Sequence, residues 1–212
     1  MSKHHVSMLF LTLLNSACSF IGIRREETPA YKILEKEDNK EIREYQPYIK
    51  ASVTVSGSYD DAVELAFKKL AGYIFGKNKK QKPLPMTAPV LIKTESQPIP
   101  MTAPVLIQQT NDLLTMSFIM PAKFTLQELP IPDDHDISFA TTEKQLFAVI
   151  RFNGRISQKT HQKHQKELSQ WLRQFKSYKE NGTGFFAGYD PPWTIPFLRR
   201  NEVMIPLTII LK

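Results

Sequence analysis

The chain has 212 residues, of which 42% are hydrophobic, and a formal net charge of +7. This length and composition are typical of one soluble globular domain that buries a sizeable core. The basic residues are scattered, and the densest run, Lys77–Lys82, has the composition of a solvated loop. No helix-turn-helix, zinc-finger or RNA-binding signature accompanies the charge, so we do not expect a nucleic-acid partner.

The first residues have the composition of a targeting segment. Lys3-His4-His5 is a short basic start, and Val6–Leu14 is an apolar run too short to span a bilayer. The next residues, Asn15 to Cys18, resemble a bacterial lipoprotein cleavage site, although Asn15 stands where such sites usually carry Leu. Residues 1–18 are therefore predicted to be a signal peptide with a lipobox-like cysteine, and residues 19–30 a tether. An uncleaved N-terminus is the alternative.

Cys18 is the only cysteine, so no intramolecular disulfide is possible. Its surroundings do not suggest an activated thiolate, and a lone cysteine at this position fits lipid attachment better than catalysis. We therefore expect a protein of the bacterial cell envelope, either periplasmic or held at the membrane by a lipid on Cys18.

Residues 31–55 alternate apolar and polar side chains as strands do. Three strands are predicted, at Tyr31–Lys36, Glu41–Tyr45 and Tyr48–Val55. A helix follows, with Ser58 as its N-cap and a body from Ala62 to about Phe75. Its apolar residues recur at helical spacing and are predicted to pack on the core: Val63, Ala66, Phe67, Leu70, Ala71 and Ile74.

An octapeptide then occurs twice, as Pro85–Ile92 and as Pro100–Ile107, around the polar spacer Lys93–Ile99. Two apolar, β-branched segments about a turn predict a hairpin. Each copy contains an internal proline, which favours an edge strand, a bulge or a rim position. The hairpin is either a wall for an apolar ligand or a sheet edge that its prolines protect from aggregation.

The second half repeats the order of elements seen in the first. Strands are predicted at Leu113–Met120, Ile137–Thr141, Leu146–Phe152 and Val203–Leu211, and a second helix, capped by Ser157, runs to about Phe175. Two strands, a helix and returning strands thus occur on either side of the duplicated octapeptide. This order predicts an α+β fold with a pseudo-two-fold repeat, in which one curved antiparallel sheet or open barrel carries two helices.

The segment Gly184–Val203 combines aromatic residues, prolines and the pair Arg199-Arg200, and we interpret it as a single loop. Such a loop can cover a flat apolar ligand while the arginines pair with its carboxylates. The alternative is that Trp193 only plugs the end of the barrel.

Signs of catalysis or metal binding are few. His161 and His164 stand three apart on the second helix, but the spacing offers no third ligand. Glu41 and Glu44 fall on opposite faces of a predicted strand, which argues against a carboxylate pair. No nucleophile elbow, phosphate loop or zinc-protease motif is present. We therefore predict no catalytic residues and no metal ligands.

Four stretches together resemble the SOUL family of heme-binding proteins: Glu41–Tyr45, Tyr73–Gly76, Pro85–Val90 and Gly188–Val203. The resemblance extends from about Tyr31 to Leu207, so residues 31–212 are assigned to one SOUL-like domain. It implies a distorted antiparallel β-barrel with two long helices, similar to the gyrase-inhibitor-like ligand-binding domains.

The resemblance further implies that heme or a related tetrapyrrole binds in an apolar groove between the first helix and the late proline-rich loop. Carried onto this chain, the groove contains Phe67, Leu70, Ala71, Ile74, Tyr189, Trp193 and Phe197, and we add Arg199 and Arg200 as candidates for the propionates. Glu44 stands where some members have an axial-ligand histidine. Glu64 and Gly72 stand where other members have basic residues.

The leading hypothesis is therefore a non-catalytic binder of heme, another porphyrin or a similar flat apolar ligand. A protein-interaction or scaffold role in the cell envelope is the second hypothesis, favoured if the aromatic loop is exposed and the groove is filled by its own side chains. The third is an enzyme acting on a small hydrophobic molecule, which requires a pocket with a buried carboxylate such as Glu44 or Glu64.

Overall fold

One antiparallel sheet dominates the computed structural model, which describes residues 27–81, 83–95, 113–190 and 194–210. Its ten strands are β1 Tyr31–Glu37, β2 Lys40–Tyr45, β3 Ile49–Ser56, β4 Val90–Glu95, β5 Leu113–Ile119, β6 Ser138–Thr141, β7 Gln145–Phe152, β8 Tyr178–Glu180, β9 Phe185–Gly188 and β10 Asn201–Ile209. Two α-helices accompany it, α1 at Tyr59–Ile74 and α2 at Gln158–Leu172, with a short 3₁₀ turn at Pro196–Leu198.

The strand order reveals an internal two-fold repeat. The order is β1-β2-β7-β10-β9-β4-β5-β3-β6, and β8 pairs with the end of β10. In the first half β3 and β4 both flank β5, and in the second half β7 and β9 both flank β10 in the same way. The halves meet at β4 and β9, where Leu91 lies opposite Ala187. The predicted α+β pseudo-repeat is therefore confirmed.

Each helix begins at a capping serine. The Ser58 hydroxyl accepts a hydrogen bond from the backbone N–H of Asp61, and Asp60 and Asp61 favour the positive end of α1. At α2, Ser157 and Thr160 form a reciprocal capping box. The core-facing residues are Ala62, Ala66, Leu70, Ala71, Tyr73 and Ile74 of α1 and Leu168, Trp171 and Leu172 of α2. The predicted apolar face of the first helix is thus confirmed, with Val63 and Phe67 at its half-buried margin.

The last residues of the first octapeptide copy, Val90–Ile92, begin β4. Their predicted pairing with the second copy is wrong, because both of their edges are paired with other strands. β4 pairs with β5 along its whole length and with β9 over Val90–Ile92, so it lies inside the sheet rather than at its edge. Pro89 precedes β4 and leaves its ladder uninterrupted. Similar sequence in two neighbouring segments does not determine which strands pair. The second copy, Pro100–Ile107, lies outside the described residues.

The prediction that the late aromatic segment is a single loop is wrong. Phe185–Gly188 forms β9, a strand in the middle of the sheet between β10 and β4. The strand has four residues and ends in Gly188, so its alternation is too short to be recognised in the sequence. Pro191, Pro192 and Trp193 lie outside the described residues.

The predicted signal peptide and the lipidation site Cys18 also lie outside the described residues, and both remain predictions. Within the described ranges, no helix combines the length and the apolar character needed to cross a membrane.

Candidate ligand-binding site

The two faces of the sheet carry different kinds of residues. On the face covered by the helices, strand residues such as Ile42, Val53 and Phe186 join α1 and α2 in one large apolar cluster. On the opposite face, which we call the open face, a smaller cluster contains Tyr45, Ala88, Phe147, Val149, Ala187, Tyr189 and Met204, with Tyr31, Tyr48, Leu91 and Phe185 packed around it. No residue of α1 or α2 belongs to this second cluster.

The predicted groove residues on α1 lie in the apolar core. Leu70 is 0% exposed, and Ala71 and Ile74 are also buried. Phe67 is half-buried, with its ring 5.6 Å from that of Phe118 in an edge-to-face arrangement. The surface of these side chains is therefore occupied by the sheet. A ligand reaches Leu70, Ala71 and Ile74 only if the helix separates from the strands.

The predicted residues of the late segment lie elsewhere. Tyr189 is buried in the open-face cluster, and the Arg200 guanidinium lies 4.0 Å from the centre of its ring. Arg199 donates a hydrogen bond from Nε to the Thr194 carbonyl at 2.7 Å. Phe197 is 69% exposed. The structure places Tyr189 and the α1 residues in different clusters on opposite faces of the sheet, and it does not describe Trp193. That these residues bind heme stays a prediction.

A buried ionic network lies on the open face, centred on Glu202, which is 0% exposed. Its carboxylate accepts hydrogen bonds from Arg43 at 2.8 and 3.1 Å, from Arg200 at 2.6 and 3.0 Å, and from the Tyr189 hydroxyl at 2.8 Å. The network joins β2 to β10 and to the residue that follows β9. Sequence analysis missed it because charged residues within a strand usually point to solvent.

The charge state of Glu202 follows from its partners. Burial acts to raise the pKa of the Glu202 carboxyl, but Arg43 and Arg200 outweigh it and hold the pKa below its usual value. The same carboxylate raises the pKa of Arg43 although burial opposes this. An ionised carboxylate whose oxygens are all engaged is a structural anchor rather than a general acid or base.

Beside this network, the open face contains a cavity of about 270 Å³, which we call the open-face cavity. Its lining residues come from six of the strands, from the turn between β8 and β9, and from the residue before β3: Tyr48, Lys50, Leu91, Lys93, Thr115, Ser117, Gln145, Phe147, Asn181, Gly182, Thr183, Phe185 and Pro206. Phe147 and Phe185 form an edge-to-face pair with ring centres 5.4 Å apart. Aromatic walls beside two lysines suit an apolar molecule that carries negative charge.

Tyr48 is the lining residue with the most distinctive chemistry. Burial raises the pKa of its phenol to about 12, so the group is neutral at physiological pH. Its backbone forms hydrogen bonds with Thr142, but among the described residues no side chain or backbone group forms a hydrogen bond with its hydroxyl. This phenol is thus available to a ligand.

The two carboxylates considered for an enzyme do not lie in a pocket of this kind. Glu44 is partly exposed and pairs with Lys144 at 2.9 Å. Glu64 is exposed on α1, and neither residue lines the open-face cavity. The buried carboxylate is instead Glu202, which is held ionised.

The two histidines of α2 are half-buried. His164 stacks on Phe152 with ring centres 4.0 Å apart, and burial lowers the pKa of both His161 and His164. Across the described ranges, no three residues among His, Cys, Asp and Glu are placed to hold a metal ion.

The fold and cavity define a class of protein: a duplicated α+β domain whose curved sheet is covered by helices on one face and open on the other. The profile of the family described as "SOUL heme-binding protein" matches residues 26–206. The chain therefore belongs to the SOUL heme-binding protein family, as its sequence motifs indicate.

Named relatives agree with this assignment. Heme-binding protein 2 of Mus musculus is 28% identical over 184 residues, which cover 84% of this chain and 85% of the mouse protein. Heme-binding protein 1 of Xenopus tropicalis is 29% identical over 164 residues, covering 77% of this chain and 80% of the frog protein.

Solved structures with the same fold are more distant in sequence. The C-terminal domain of EcmrR has a TM-score of 0.56 at 11% identity, covering 85% of this chain and 99% of that domain. A hydrolase from Listeria innocua has a TM-score of 0.52 at 13% identity, covering 82% of this chain and 94% of that one. At these identities the likeness shows the fold alone.

Proposed function

We propose that this protein is a non-catalytic binder of heme or a related tetrapyrrole, and that the ligand enters the open-face cavity. Family membership supports heme as the ligand class. The observation that carries the location is the combination of aromatic walls and two lysines in one cavity. Heme presents the matching chemistry, because it has a flat apolar ring, two carboxylates and an iron atom that accepts axial ligands.

The residues of the cavity have separate roles in this proposal. Leu91, Phe147 and Phe185 would contact the ring, and Lys50 and Lys93 would pair with its carboxylates. The cavity is slightly smaller than the roughly 300–1,000 Å³ of typical small-molecule pockets, so part of the ring would stay in solvent. We therefore expect moderate rather than very tight affinity.

Tyr48 would hold the iron. Tyrosine is an established haem ligand type, and Tyr48 is the only His, Cys, Met or Tyr residue among those that line the cavity. A nearby ferric charge favours the ionised phenol and offsets the effect of burial on its pKa. The position of Glu44, where other family members place histidine, leaves Tyr48 as the candidate that the cavity offers.

The test is a hemin titration of the protein lacking residues 1–18, followed through the Soret band. We expect saturable one-to-one binding that Phe147→Ala weakens and the double change Lys50→Glu/Lys93→Glu weakens further. The matched control is Lys159→Glu/Lys179→Glu, which makes the same charge change at two exposed lysines outside the cavity. Tyr48→Phe should change the ferric spectrum more than the affinity.

The same titration separates the open-face cavity from the groove implied by the family resemblance. Weakening by Trp193→Ala and Arg199→Ala, with no effect of the cavity variants, would place the ligand beside the late loop. A linear, non-saturating response in all variants would refute tetrapyrrole binding altogether.

A protein-interaction role is a second candidate, and two observations favour it. Phe197 is exposed, and the α1 side chains that would line the implied groove pack into the core. If the exposed aromatic residue binds a partner protein, Phe197→Ser should abolish capture of that partner from an envelope extract and leave hemin binding intact. Equal capture by Phe197→Ser and wild type would remove this candidate.

We also propose that the protein acts in the bacterial cell envelope, attached through a lipid on Cys18. The apolar run before a lone cysteine supports this proposal. Metabolic labelling with a clickable fatty acid should mark the wild-type protein and not Cys18→Ser. A wild-type protein that stays unlabelled and keeps its first residues would overturn it.

A further inference from the structure

A second cavity, of about 390 Å³, lies beneath the N-terminal segment Glu27–Ala30. We call it the strap cavity. Its remaining walls are the corner between β2 and β3 and the segment that follows β5, and the full lining is Glu27, Thr28, Pro29, Ala30, Gln46, Pro47, Tyr48, Ile49, Thr87, Ile119, Met120, Pro121, Ala122, Phe124 and Thr141. Its volume falls within the range of about 300–1,000 Å³ that is typical of small-molecule sites.

Hydrogen bonds at both ends hold the segment Glu27–Ala30, which we call the strap, over this cavity. The Glu27 carbonyl accepts one from the Ala88 N–H at 3.1 Å, and its carboxylate accepts another from the Ala122 N–H at 2.8 Å. At the other end, the Ala30 carbonyl accepts one from the Gln46 N–H at 3.0 Å. Because both ends are attached, the cavity is a built feature of the fold rather than a gap under a loose terminus.

The floor of the strap cavity is apolar. Ile119, Met120 and Pro121 are buried, and Ile49 and Phe124 are half-buried beside them. No lysine, arginine or histidine is among the lining residues, and the one carboxylate, Glu27, is engaged at the rim. This composition contrasts with the open-face cavity, where Lys50 and Lys93 are present.

We propose that the strap cavity is a second binding site, which shares only Tyr48 with the heme site, and that it takes an uncharged hydrophobic small molecule. A ligand with an ionised group would lose hydration without meeting an opposite charge, and this cost weakens binding strongly. An uncharged apolar ligand gives up only unfavourable contact with water and gains contact with the aliphatic and aromatic side chains of the floor. The open-face cavity thus suits an apolar ligand that carries negative charge, whereas the strap cavity suits an uncharged one.

The test uses the uncharged probe N-phenyl-1-naphthylamine, whose fluorescence rises in apolar surroundings, with the protein lacking residues 1–18. We expect saturable binding and displacement by 1-decanol. Decanoate and decylammonium have the same alkyl chain with a charge at one end, and we expect each to displace the probe at least about tenfold less well, since burying an unpaired charge costs more than about 1.4 kcal/mol.

Two variants at exposed rim positions locate the site without disturbing the core. Ala122→Trp should fill the cavity, and Thr141→Lys should place a charge at its edge, so each should lower probe affinity at least about fivefold. Thr208→Trp and Thr208→Lys are the controls, because Thr208 is exposed and outside both cavities. The double change Lys50→Glu/Lys93→Glu should leave probe binding unchanged, whether or not hemin binds.

The proposal is refuted if the rim variants bind the probe as wild type does, or if decanol and the two charged analogues displace it equally. If the wild-type protein binds the probe but not hemin, the heme proposal alone is refuted. If it binds hemin but not the probe, the strap site alone is refuted.

Discussion

The two faces of the sheet differ in how their residues are stabilised. The helix-covered face is a continuous apolar core, in which residues such as Leu70 and Ile150 are completely buried. Neither helix of the described residues contributes to the open face, and the centre of this face is an ion pair surrounded by aromatic rings. The open-face cavity lies beside the smaller cluster, the strap cavity is lined by residues of the large apolar cluster such as Met120, and Tyr48 lines both. The covered face accounts for the fold, whereas the open face provides the cavity proposed for heme.

The first prediction concerns the ion pair at the centre of the open face. Glu202→Gln should lower the free energy of unfolding by about 3–5 kcal/mol, because it removes the buried charge that Arg43 and Arg200 share and leaves the buried guanidinium of Arg43 with Glu41 as its remaining carboxylate. Denaturant titration measures this, and Glu180→Gln on an exposed strand is the control. A loss below about 1 kcal/mol would mean that water reaches the network and that the open face is not a core of its own.

The second prediction tests the covered face. Leu70→Ala should lower the free energy of unfolding by about 3 kcal/mol through lost burial and a residual cavity. Leu65→Ala, on the same helix but 44% exposed, should cost much less. Hemin affinity of the folded protein should be the same in both variants. A hemin affinity that falls only in Leu70→Ala would return the ligand to the groove beside α1.

Sequence reasoning succeeded where a long periodic pattern faces the core. The stripe that includes Phe67, Leu70 and Ile74 determines both the helix and its buried face, and the element order determines the pseudo-repeat. It failed for β9, whose four residues are too few to show a period, and for the duplicated octapeptide, whose pairing depends on distant strands.

The candidate sites were beyond sequence reasoning for a related reason. The open-face cavity combines single residues from strands far apart in the chain, such as Lys50, Lys93 and Phe147. Each of them alone is an ordinary strand residue. Only the sheet order brings them together, and motif matching pointed to the helix and the late loop instead.

The third prediction uses pH to compare the faces. Burial lowers the pKa of His161 and His164 on the covered face. As the pH falls, the unfolded chain therefore takes up protons at these histidines before the folded protein does. Stability should therefore fall as pH drops below about 6.5, by at most about 1.4 kcal/mol per pH unit for each histidine. His161→Gln/His164→Gln should flatten this slope, and His135→Gln, at an exposed site, should not. An unchanged slope in the double variant would show that both imidazoles are solvated.

The open face should respond in a more acidic window. The lowered pKa of Glu202 contributes stability that is fully present above its unfolded value of 4.5 and is lost as pH falls through the folded value. The difference in stability between wild type and Glu202→Gln should therefore be constant near neutrality and shrink below pH 4.5. A difference that shrinks already between pH 7 and 5.5 would mean that Glu202 takes up its proton above its usual pKa, and would contradict a carboxylate that the two arginines hold ionised.

The smallest effect is expected for Glu44, which lies near the end of β2, is partly exposed to solvent and pairs with Lys144. Glu44→Gln should change the free energy of unfolding by less than about 1 kcal/mol, because exposed ion pairs contribute little. The same substitution at Glu202 removes a buried charge with two arginine partners, so the pair of variants compares a buried network with an exposed ion pair. Glu44→Gln should also leave the ferric spectrum of bound hemin unchanged, since the cavity proposed for heme does not include it. A shifted spectrum would instead make Glu44 a ligand of the iron and move the site to the end of β2.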